Sequence, residues 1–78
     1  MDQIYLDQLK KNEAAKIINI SDGEENGILV NLGLSVGAEI ELVWPSILKR
    51  PMVLVHGENQ LIAIRTEVAK RILVERVL

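Results

Sequence analysis

His56 is the single histidine of this 78-residue chain and stands two residues before Glu58. An imidazole and a carboxylate at that spacing could begin a transition-metal shell, but such a shell takes three or four ligands. Spacing supplies no third ligand, and the chain has no cysteine to offer a thiolate. His56 is therefore expected to be an ordinary strand-end residue, and no metal or cofactor is assigned. The stretch Asp22-Gly23-Glu24-Glu25-Asn26-Gly27 imitates the start of a calcium loop, with oxygen ligands at alternate positions and glycine sixth. The closing position, which needs a bidentate glutamate, is Gly33. These acids fit better as residues at the positive end of a helix.

Catalysis finds little material. Gly33 and Gly37 lack the Lys-Ser/Thr that completes a phosphate-binding loop, and they end a helix instead of opening one. Ser21, Ser35, Ser46 and Thr66 all fall at turns or caps, with only one histidine to activate any of them. Glu39 and Glu41 alternate with apolar residues, as on the solvated face of a strand. The chain is not expected to be an enzyme.

The elements that carry these residues follow from periodicity. Leu6-Asp7-Gln8-Leu9 fits one helical turn, and Ala15 to Ile20 alternates as a half-buried strand with Ala15, Ile17 and Ile20 inward. After the turn Ser21-Asp22-Gly23, the helix-like spacing of Ile28, Leu29 and Leu32 predicts a helix between Glu24 and Leu32. Gly33 then stops it in a left-handed conformation, with Leu34 folding back on the helix. Gly37 is expected at positive φ in the turn that launches a second strand, Ala38 to Val43.

Trp44-Pro45-Ser46-Ile47-Leu48-Lys49-Arg50-Pro51 is a loop, since its prolines cannot serve a central ladder. Met52 to His56 and Gln60 to Ile64 form a hairpin around Gly57. Thr66 should cap a short turn, and Ile72 to Leu78 supplies a fifth strand that closes on the first. The expected fold is mainly β: one domain over residues 1–78, a small partly open barrel of about five strands plugged by one helix.

Composition sets further limits. With 49% hydrophobic and 26% charged residues, the chain has the make-up of a folded protein with an aliphatic core. The net charge of −2, with lysine and arginine scattered and one Trp and one Tyr for stacking, gives no nucleic-acid footprint. No apolar run reaches the ~20 residues of a membrane span. The N-terminus has acids where a signal peptide needs bases. No direct membrane insertion is expected, and the absence of cysteine fits a cytoplasmic location.

Several of these residues together resemble the FeoA family. They are Leu6-x-x-Leu9, Leu29-x-x-Leu32-Gly33-Leu34-x-x-Gly37, Pro51 before an alternating strand, Gly57 in the hairpin, and Leu61-x-x-x-Arg65-x-x-x-Ala69-x-x-Ile72-x-Val74. The resemblance spans nearly the whole chain and implies an SH3-like barrel. It also implies an accessory role in ferrous iron uptake, acting on the cytosolic side of the FeoB membrane transporter. The family usually carries a basic residue near the Leu-Gly-Leu step, where this chain has only apolar residues and Asn31. A similar module ends iron-dependent repressors of the diphtheria-toxin-regulator type, which implies an alternative: a regulatory module acting with a metal-dependent repressor. No helix-turn-helix precedes it here, so a complete repressor is not expected.

The partner-binding residues are expected on the loop: Trp44, Ile47, Leu48, Lys49 and Arg50. Apolar residues at a loop tip either fold back or meet a partner. The helix face around Glu24, Glu25 and Asn31 comes next, whereas Gly33, Gly37 and Gly57 are structural turn residues. A Pro-rich-peptide groove would need more aromatics than Tyr5 and Trp44. Self-association is expected through the free edges of the strands at 38–43 or 72–78.

Overall fold

The structure, a computed structural model, describes residues 2–21, 23, 26–48 and 50–77. Its strands are β1 (Gln3–Tyr5), β2 (Ala14–Ile20), β3 (Glu39–Trp44), β4 (Met52–His56), β5 (Gln60–Ile64) and β6 (Ile72–Val77). Two short helices, α1 (Asn26–Asn31) and α2 (Thr66–Ala69), and a 3₁₀ turn at Leu6–Gln8 join them. All paired strands run antiparallel in one sheet of order β1-β6-β2-β3-β4-β5.

The architecture is mainly β, as the alternation predicts, and SH3-like, as the family resemblance implies, with a sixth strand that the alternation did not show. That strand is β1, whose three residues pair Gln3, Ile4 and Tyr5 with Glu75, Val74 and Leu73. Three residues are too few to display a period. The pairing also corrects the expected edges. The strand starting at Ala38 is β3, held by β2 and β4, and the strand starting at Ile72 is β6, held by β1 and β2. The free edges belong to β1 and β5.

One face of the curled sheet is the core. Ile17 faces Val74, which in turn faces Ile4, while Ala15 faces Ile40. Leu42 faces Leu54, Leu54 faces Ile62, and Met52 faces Ile64. Leu6, Leu9, Leu29, Leu34 and Ala69 fill the space from the turns and helices. β2 shifts register between Ile17 and Asn19, and β3 between Leu42 and Trp44. Such shifts bend strands and let a small sheet wrap its own core. The first shift also brings Ile20, expected inward, opposite buried Ile72, where it packs half-buried against the core.

The glycines at the end of α1 behave as the sequence requires. Leu34 N–H donates to Leu29 O at 2.8 Å and Gly33 N–H to Val30 O at 2.9 Å, with Gly33 at φ +86°. This pair of bonds closes a helix through a left-handed residue, and buried Leu34 makes its apolar seal. Gly37 sits at φ +94° in a turn closed by Ala38 N–H to Ser35 O at 3.0 Å. Its own N–H donates to Ile17 O at 2.8 Å, which ties the turn to the shifted segment of β2.

One expectation falls partly outside the described residues and another changes. The described part of α1 begins at Asn26, and Asp22, Glu24 and Glu25 lie outside the described residues. Thr66 is the first residue of α2 and caps nothing with its side chain; Arg65 holds the cap position without a side-chain bond. Thr66 Oγ1 instead shares a 2.6 Å hydrogen bond with Ser46 Oγ, because the loop before β4 passes directly over this turn.

Candidate functional site

The loop at 45–51 follows from its ends. Trp44 closes β3 and Met52 opens β4, and the shift before Trp44 sets it opposite Val53. Pro45 and Pro51 bracket the loop and withhold two ladder donors. Between them, Arg50 N–H donates to Ile47 O at 3.0 Å, and Ser46 Oγ donates to Arg50 O at 2.7 Å. The Ser46–Thr66 bond then pins the loop to α2. The loop is thus a tied turn.

Its tip is apolar and faces water. Trp44 is 56% exposed, Ile47 58% and Leu48 87%. Leu48 also has φ +54°. Asn12 and Asn59 share that left-handed region, which asparagine tolerates. For leucine the same conformation costs about 1–2 kcal/mol. Both the exposure and the backbone of Leu48 therefore oppose folding stability, and hydrogen bonds on either side hold the residue in place. Strain of this kind collects at positions kept for contact.

Trp44, Pro45, Ile47, Leu48, Arg50, Pro51 and Val53 line an open groove of about 400 Å³. The structure thus brings together four of the five residues expected to bind a partner; Lys49 lies outside the described residues. Sequence reasoning missed Pro45, Pro51 and Val53; Val53 joins the groove only through the pairing that sets it opposite Trp44, which nothing in its own strand specifies. Beyond Pro51 the surface turns polar, in a hollow lined by Ser46, Pro51, Arg65, Thr66 and Glu67. Arg50 and Arg65 are exposed, so cations border the apolar groove.

The other singled-out residues lie elsewhere. His56 pairs with Ile40 and Gln60 at the end of the inner face, and its ring lies over Gly33, where an added Cβ would be 2.6 Å from Nε2. Its Nδ1 is 3.2 Å from Glu39 O. Among the described residues no group of three or more His, Cys, Asp or Glu is placed to hold a metal ion. Asn31 is exposed on α1 but does not line the groove. Gly57 lies at φ +64° in the hairpin turn. Among the described residues no helix is long and apolar enough to cross a membrane.

Comparison with known proteins places this geometry. The FeoA domain family matches residues 4–76. A crystal structure of an iron uptake regulatory protein (FeoA) superposes with a TM-score of 0.86 at 25% identity, over 97% of this chain and 100% of that one. The solution structure of iron(II) transport protein A from Clostridium thermocellum gives 0.85 at 35% identity, over 95% of this chain and 46% of that one. A manganese-dependent transcriptional repressor complexed with manganese gives 0.87 over 99% of this chain and 38% of that one. At 11% identity, that last likeness is one of fold alone. No curated protein matches the chain in sequence.

Proposed function

This chain belongs to the FeoA domain family, and from that premise we propose that it is a non-enzymatic accessory protein of ferrous iron uptake. It binds the cytosolic side of a FeoB-type transporter through the loop at 45–51. The observation that carries this reading is Leu48, 87% exposed at φ +54° and beside Trp44 and Ile47. An apolar residue held at conformational cost in water gains when a partner covers it. Burying one such side chain is worth about 1.5–3 kcal/mol. Trp44 adds the kind of aromatic that anchors protein interfaces, while Arg50 and Arg65 form a polar rim. With Lys49, the chain from Trp44 to Glu67 carries three Lys/Arg against two Glu, whereas the whole protein has a net charge of −2. The groove thus favours a partner surface that joins apolar and acidic residues.

The test is binding of the purified chain to the soluble G-protein domain of a FeoB transporter and to the whole transporter in detergent. Ile47→Ser/Leu48→Ser should weaken binding about tenfold or more while leaving the melting temperature in place. Unchanged affinity in the double variant would remove the loop from the contact. Failure of the native chain to bind either form, with capture of a metal-dependent repressor instead, would move the protein to the regulatory alternative that shares this fold.

A further inference from the structure

Two concavities adjoin at Pro51, which lines both. On one side is the apolar groove of Trp44, Ile47, Leu48 and Val53, and on the other a polar hollow of about 900 Å³ with Ser46, Arg65, Thr66 and Glu67 around it. The wall between them is fixed before any partner arrives, because Ser46 is bonded to Arg50 O and to Thr66 Oγ1. Counting protons on that hydroxyl pair shows what the hollow lacks. Ser46 Oγ gives its one proton to Arg50 O, so the proton of the 2.6 Å contact comes from Thr66 Oγ1. Both hydroxyls then have only lone pairs left to offer, and the Glu67 carboxylate also accepts only. Arg65 supplies the donor side chain of the hollow, and Arg50 that of the groove. Among the described residues neither guanidinium makes a hydrogen bond or an ion pair.

We propose that the groove and the hollow together take one extended peptide segment of the transporter, which carries an apolar side chain and, further along, an Asp or Glu. This deepens the reading of the loop at 45–51 as the transporter contact and rests on it. The apolar side chain enters the groove and covers the left-handed Leu48. Past Pro51, a backbone N–H of the segment donates to Thr66 Oγ1 and the acid pairs with Arg65. A helix or a strand inside a sheet has its backbone N–H groups already bonded, whereas an extended segment outside a sheet has them free. The unmet acceptors therefore select an extended chain, and the unpaired guanidiniums select an acidic one. A hydrogen bond between charged partners is about twice as strong as a neutral one, so the acid sets the direction in which the segment lies.

Short overlapping peptides without tryptophan, tiling the cytosolic segments of a FeoB-type transporter, test this when titrated into the intact chain. Trp44 is the single tryptophan and lines the groove, so its fluorescence reports occupation. A peptide with the apolar and acidic pattern is expected to saturate the signal. Replacing its acid by alanine, or Arg65→Gln in the chain, should weaken binding about tenfold, and the two changes together should cost little more than either alone. Methylation of one backbone nitrogen of the peptide should weaken binding as well. Arg65 is exposed, so its variant should melt with the native chain. If the whole transporter binds and no peptide does, the segment is overturned and the accessory role stands. A peptide indifferent to Arg65→Gln, or to methylation at every nitrogen, would overturn it too. Failure of transporter and peptides alike would overturn both readings.

Discussion

On the outer face of β1, β6 and β2, one cross-strand row reads Gln3, Glu75, Lys16. On the outer face of β3, β4 and β5, a row reads Trp44, Val53, Ala63, and the next reads Glu41, Val55, Leu61. Inside, the two halves are alike, since Ile17, Val74 and Ile4 on one side and Leu42, Leu54 and Ile62 on the other serve one core. Outside, the first half sets opposite charges directly across the ladder, an arrangement worth about 0.2–1 kcal/mol, and among the described residues of its strands only Tyr5 and Val77 are large exposed apolar groups. Its far end is closed by Arg76, whose Nη1 is 3.1 Å from Asp2 Oδ2 and whose Nε is 3.6 Å from Glu13 Oε2. The second half leaves aliphatic and aromatic groups uncovered and runs into the strained loop. The fold needs both inner faces and only one of the outer ones in this form; the other is free to meet partners.

The strongest challenge to the inner likeness is a cavity in each half. Leu54→Ala and Val74→Ala should each destabilise the chain, by about 2–5 kcal/mol for the leucine and somewhat less for the valine, as read by chemical denaturation. Both residues are fully buried. A marginal effect in either would show that its half is not part of a shared core.

A smaller effect separates the two turn glycines. Gly33→Ala meets both the positive φ and the His56 ring, whereas Gly37→Ala has nothing within 4 Å of the new Cβ. Gly37→Ala should cost about 1–2 kcal/mol from the backbone alone, and Gly33→Ala more. Combining Gly33→Ala with His56→Ala should bring that cost down toward the Gly37 value. If the double variant gains nothing, the ring is not what the Cβ strikes.

Smaller again is the ion pairing on the closed half. Arg76→Ala should cost about 1 kcal/mol at low salt and less at high salt, because the side chains involved are partly exposed. An effect insensitive to salt would assign the role of Arg76 to packing.

The smallest change sharpens the contrast most. Leu48→Gly relieves a left-handed leucine and removes an exposed side chain, so thermal stability should hold or rise by about 1 kcal/mol. Partner binding should fall in the same variant. Loss of stability would mean that Leu48 serves the fold, and the distinction between the two halves would lose its main support.

Much of this was legible residue by residue. The glycine that ends α1, the hairpin at Gly57 and the apolar loop tip each depend on neighbours in sequence, where helix spacing, strand alternation and turn chemistry operate. What misled was whatever depends on distant pairing. β1 was hidden by its length, and the free edges were misassigned because nothing within a strand states which neighbours it will have. Thr66 looked like a cap because its neighbours favour one; only the loop crossing above it gives its hydroxyl to Ser46. Val53 was not tied to the loop because its place opposite Trp44 comes from pairing with another strand, across the register shift in β3.

The sequence by itself determined the aliphatic core, the order of most elements, the turn positions and the loop that sheds no apolar residues, because local propensity and periodicity are properties of short stretches. Tertiary structure decided which strands lie at the edges, which apolar residues gather into one groove, and where His56 rests. Those are outcomes of pairing between residues far apart in the chain, and register, which a single strand cannot specify, decides the face on which each side chain stands.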